Sequence, residues 1–187
     1  ALRNGHVEVL INIWENDSYS RYRREKSIWN LYLLAQLPRE MALTFWLRII
    51  EKKHLFAGED YFLSIFGLDA LPGLLLAFSH RPKETFPLIL NFGATELALP
   101  VARVWRRFAA QRDLARQWIL QWPEHTASAL IPLVFTKPSD NSEAALLALR
   151  LLYEQGHGEL LQTVANRWQR TDVWSALEQL LKQGPMD

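Results

Sequence analysis

PEHTASALI, residues Pro123 to Ile131, reads as the opening of a buried amphipathic helix. Pro123 supplies a first helical residue whose missing N–H has no intrahelical partner to lose. Glu124 behind it suits the positive end of the helix dipole. Ala127, Leu130 and Ile131 follow four, seven and eight residues after the proline, which places all three on one helical face. The same signature stands twice upstream. PREMALTFW, from Pro38 to Trp46, carries Glu40 and then Ala42, Phe45 and Trp46 at those offsets. PKETFPLIL, from Pro82 to Leu90, carries Glu84 and then Phe86, Ile89 and Leu90.

Outward from these three segments the helical period persists along the whole chain. It predicts helices over 2–14, 18–36, 39–53, 60–67, 70–79, 83–92, 95–109, 112–121, 124–135, 141–155, 158–169 and 172–183. Strand signals are nearly absent, because no short alternating run is bounded by turn residues. Gly58, Gly67, Gly93, Gly156 and Gly184 stand where helices should stop, and glycine there accepts the left-handed conformation. Pro87, Pro100 and Pro132 should kink or end the helices they fall in. Connections this short force neighbouring helices to pack roughly antiparallel. The proline-to-proline distances are 44 and 41 residues, within the ~40–47-residue period of HEAT and armadillo repeats. The expected fold is therefore all-α: stacked antiparallel helix pairs forming a HEAT/armadillo-like α-solenoid segment, residues 1–187 as one repeat domain. With no initiating Met and a helical pattern from its first residues, the chain is expected to be part of a longer protein.

Composition narrows the function classes. The 187 residues are 49% hydrophobic and 12% aromatic, enough to bury a substantial core. Eight Trp are many for this length. Trp46, Trp105, Trp118 and Trp168 lie at helical spacing from other large apolar residues and are expected to be buried. Trp14 and Trp174, near the ends, are expected against neighbouring repeats. Basic and acidic residues balance at 21 to 20, which gives no support to a general polyanion-binding role. The absence of Cys excludes disulfides, zinc ribbons and thiol nucleophiles. Ala1 to Glu8 lacks the charged-then-apolar pattern of a secretory signal. Tyr61 to Ser79 approaches the length of a membrane helix, yet Asp69 and the Pro72–Gly73 pair divide it into two short buried helices.

No chemistry-bearing motif emerges. His6, His54, His80, His125 and His157 are dispersed, with no zincin spacing, so no metal and no cofactor is implied. No Ser occupies a nucleophile elbow, and the eight Gly form no phosphate-binding loop. Glu59 and Asp60 follow Gly58 at the start of an apolar helix, where helix capping explains them better than acid–base chemistry. Ala1 to Leu10 looks like one ankyrin helix, but neither the Thr-Pro-Leu-His turn nor a ~33-residue period accompanies it. Two basic clusters stand out. Arg21, Arg23, Arg24 and Lys26 lie among Tyr19 and Tyr22; Arg103, Arg106 and Arg107 share a helix face, with Arg112 and Arg116 following. These seven cations, from Arg21 to Lys26 and from Arg103 to Arg107, are the candidate partner-contact residues. Glu25 and Asp113 interrupt the two clusters, as in a solvated helix face.

The C-terminal half carries more distinctive residues. Trp122 to Pro138 reads WPEHTASALIPLVFTKP, and Ala144 to Trp168 reads AALLALRLLYEQGHGELLQTVANRW. Pro123, Ala129–Pro132, Lys137–Pro138, the helix around Arg150, and Gly156–His157 resemble the helical-repeat part of a bacterial family that includes the molybdate metabolism regulator. The resemblance covers residues 118–170, and the N-terminal half only by architecture. It implies a large cytoplasmic protein joining a small Trp-Gly-Arg module to helical repeats. No Trp-Gly-Arg tripeptide occurs in this chain; Trp105-Arg106-Arg107 is the nearest. The expected function is a non-enzymatic scaffold for protein–protein interaction within such a regulator, with the remainder of the parent chain and a protein as partners and no membrane. Two alternatives stand beside it: a nucleic-acid-associated module using the arginine clusters, and an oxyanion-sensing domain.

Overall fold

A computed structural model describes residues 28–52, 55–168 and 172–183, with Val9 and Asn12 besides. Apart from Val9 and Asn12, the helix expected over 2–14 lies outside the described residues, as does most of that expected over 18–36. The chain is predominantly helical and divides into two compact units, 1–88 and 89–187, at the last turn of one helix.

In the first unit the described residues begin with a three-residue strand, β1 (Ile28–Asn30), then α1 (Leu31–Leu34) and α2 (Arg39–Glu51). A second strand, β2 (Leu55–Ala57), pairs in parallel with β1. Next come α3 (Glu59–Phe66), a 3₁₀ turn (Gly67–Ala70), α4 (Leu71–His80) and α5 (Pro82–Ile89). Residues 28–30 were expected inside a helix. Here the Asn30 side chain accepts hydrogen bonds from the backbone N–H of Tyr32 and Leu33, so the helix starts after it. The strand before Asn30 satisfies its backbone on β2 instead.

The apolar register read from Pro38 is the inward face of α2. Ala42, Phe45 and Trp46 are buried, together with Ile49 and Ile50. A chain of rings continues from Trp46 through Phe62 to Phe66, with centroids 5.2 and 4.4 Å apart. Phe78 of α4 meets Phe86 of α5 edge to face at 5.1 Å. Glu59–His80 is long and apolar enough to cross a membrane by length and composition. It is broken at Gly67, where φ is +53°, and Phe62, Leu63, Phe66, Leu71, Leu74 and Phe78 turn into the core of this unit. About half of the segment is buried in this way, while Tyr61, Ile65 and Leu68 remain exposed.

The second unit is built from α6 (Thr95–Arg107), α7 (Arg112–Gln121), α8 (Pro123–Val134), α9 (Asp140–Glu154), α10 (Gly158–Asn166) and α11 (Asp172–Lys182). These form three consecutive antiparallel pairs, α6/α7, α8/α9 and α10/α11. First helices stack on first helices, α6 to α8 to α10, and second on second, α7 to α9 to α11. This is a helical-repeat arrangement. Ala, Val and Leu dominate the seams, with Leu97, Ala98, Val101 and Ala102 of α6 and Ala144, Ala145, Ala148 and Leu149 of α9 all buried. Small residues at these turns let the helix axes approach closely.

The three prolines do stand at helix starts, and Ala127, Leu130 and Ile131 are buried as their register requires. However, the stacked first helices of the second unit begin at Thr95, Pro123 and Gly158, steps of 28 and 35 residues. The 41-residue proline spacing is therefore not the stacking step of this unit. Each pair takes only two short helices and a turn. The in-helix prolines Pro87 and Pro132 lie two residues before the ends of α5 and α8, as expected from their lost N–H and ring clash. Pro100 is accommodated within α6.

Candidate functional site

Arg103, Arg106 and Arg107 come together as the sequence predicted, at the C-terminal end of α6, and all three reach α9. Arg103 donates from Nε and Nη2 to Asn141 Oδ1, at 2.8 and 2.6 Å. Arg106 forms ion pairs with both Asp140 and Glu143. Arg107 reaches the same Asp140, with Nη2 to Oδ2 at 2.7 Å. Further along, Arg116 of α7 donates to Gln155 Oε1 at 2.9 Å, and Arg112 lies over the Trp105 ring at 5.8 Å. The electrostatics favour this arrangement twice over. Cations sit at the carbonyl end of α6, carboxylates in the first turn of α9, and each set is what its helix dipole prefers. The stripe is a set of ties between the first helix of one pair and the second helix of the next. Arg21, Arg23, Arg24 and Lys26 lie outside the described residues.

The remaining candidates keep structural surroundings. Glu59 and Asp60 do not cap α3, whose cap residue is Gly58 with no side-chain capping bond; they occupy its first turn, where the helix dipole favours carboxylates. His125 meets the Trp122 ring edge to face at 5.7 Å, His157 precedes α10, and His80 is exposed at the end of α4. His6 and His54 are outside the described residues. Among the described residues no group of three His, Asp or Glu side chains is placed to hold a metal ion.

A second feature was not legible in the sequence. Ile131, Pro132 and Phe135 at the end of α8, and Trp168, Asp172, Val173 and Ala176 around the start of α11, line an open groove of about 320 Å³. Its walls are mostly apolar. Phe135 is 46% exposed and Trp168 40% exposed, so two large rings meet solvent at its rim. Trp168 was expected in the core. It falls after the last residue of α10, beyond the reach of the seam that buries Leu161, Val164 and Ala165. Trp46 and Trp118 are fully buried as expected, whereas Trp105 is half-buried under Arg112. The signal available in the sequence was positional: Phe135 and Trp168 each end a helix, where the inward face is no longer enforced.

Comparison with known proteins adds one relationship. The chain is 95% identical, over all 187 residues, to Uncharacterized protein YehI of Escherichia coli (strain K12). It spans 16% of that protein's length. No family model matches the chain, and no solved structure does.

Proposed function

We propose that this chain is a non-enzymatic helical-repeat scaffold that holds a protein partner within a longer bacterial protein. The observation that carries the reading is the aromatic-rimmed groove of the second unit, set where the α8 and α11 ends of two stacked pairs meet. Rigid stacked pairs present such a surface at little conformational cost, and exposed aromatics beside an apolar trough are the usual energetic centre of a protein contact. The relative's much greater length supports the placement within a larger polypeptide. The arginine stripe weighs against the nucleic-acid alternative, since Arg106 and Arg107 are already paired with Asp140 and Glu143, and Arg103 is held by the neutral Asn141 side chain.

The resemblance of residues 118–170 to the molybdate metabolism regulator family is retained as part of the proposal, and with it a regulatory setting in the cytoplasm. Its support is the set of matched residues alone. Of these, Pro123 opens α8, Pro132 lines the groove, and Arg150 ties α9 to α11 by donating to the Leu180 carbonyl at 3.0 Å.

The test is affinity capture from native lysate with the full-length parent protein, wild type and Phe135→Ser/Trp168→Ser. Loss of specific partners from the folded double variant is the expected result. Recovery of the same partners in the same amounts would overturn the groove as the contact face.

A further inference from the structure

We draw no further inference here: the strongest candidate, the apolar groove between the ends of α8 and α11 rimmed by Phe135 and Trp168, belongs to the site already described, and nothing in the structure shows what covers it.

Discussion

Tryptophan and glycine act together at two places in this chain, one in each unit. Trp46 Nε1 donates to the Ala70 carbonyl at 2.9 Å, and three residues on, Gly73 lies so close that a Cβ there would stand 2.2 Å from that nitrogen. Trp122 Nε1 donates to the Leu90 carbonyl at 3.1 Å, and a Cβ on Gly93 would stand 2.4 Å from its ring. Gly93 thus serves close approach, not the left-handed backbone that its position after a helix suggested. Gly156 does adopt that backbone, with φ +89° and open space around it. There His157 N–H reaches the Leu152 carbonyl and Gly156 N–H the Tyr153 carbonyl, closing the end of α9. The two kinds of glycine should respond differently. Gly73→Ala is expected to cost about 1–3 kcal/mol by overpacking a rigid indole. Gly156→Ala should cost about 1–2 kcal/mol from the backbone, and Gly156→Asn clearly less, since Asn tolerates that conformation. Urea denaturation of the three variants checks this, and an unchanged midpoint for Gly73→Ala would show that the indole can move aside. By the same measurement Trp118→Ala, which empties a fully buried site and removes the indole bonds to the Ile89 and Phe92 carbonyls, should cost about 3–5 kcal/mol. Trp168→Ala should cost less than Trp118→Ala, because 40% of Trp168 is already exposed.

At the level of elements, the joint between α6 and α9 combines an apolar seam with a set of charges that runs from the part-buried Arg106–Asp140 pair to exposed Arg107 and Glu143. Each exposed ion pair contributes only ~0–1 kcal/mol and is screened by salt, so the buried alanines and leucines hold the two helices and the arginines orient them. Asp140 is the focal group, because both Arg106 and Arg107 converge on it and it opens α9. Asp140→Asn is expected to destabilise the protein by about 0.5–1.5 kcal/mol at low ionic strength, with most of the difference gone near 1 M salt. An equal loss at both salt concentrations would mean that the residue acts through packing or its hydrogen bonds, not its charge. A smaller effect lies in α11, where the Glu178 hydrogen bond, 2.8 Å long, raises the Lys182 pKa above its usual value. A lysine raised on folding contributes below its unfolded pKa and stops contributing as pH climbs through the folded one. That pair therefore matters at neutral pH and fades only in strongly alkaline solution.

For the whole molecule, a scaffold predicts that contact residues and stability residues are separable. Phe135 and Trp168 are exposed at the groove rim and Ile131 lies beneath in the core, so Phe135→Ser/Trp168→Ser should keep its helical content and thermal transition while losing partners. Ile131→Ala should instead lower stability by about 2–5 kcal/mol. If both variants unfold alike, the rim residues belong to the core and the separation is wrong. Calorimetric titration addresses the sensor alternative directly. Zinc and molybdate are expected to give no saturable heat at micromolar protein, and a stoichiometric site for either would displace the scaffold reading.

Sequence by itself determined the helical class, nearly every helix of the second unit to within two or three residues, and the inward faces of the proline-opened helices. The physical reason is that each of those features is local. Apolar spacing, proline at a first turn and glycine at a last turn act within a few residues of one another, so Ala127, Leu130 and Ile131 point inward by their register alone. Tertiary structure decided what depends on residues far apart in the chain. The strand at Ile28–Asn30 exists because Leu55–Ala57 offers it a backbone partner. The arginines of α6 became ties because stacking brought the first turn of α9 beside them, more than thirty residues away. Trp168 and Phe135 became a rim because helix ends that are separated in sequence meet at the groove, and burial is a property of what packs against a residue, not of its own spacing.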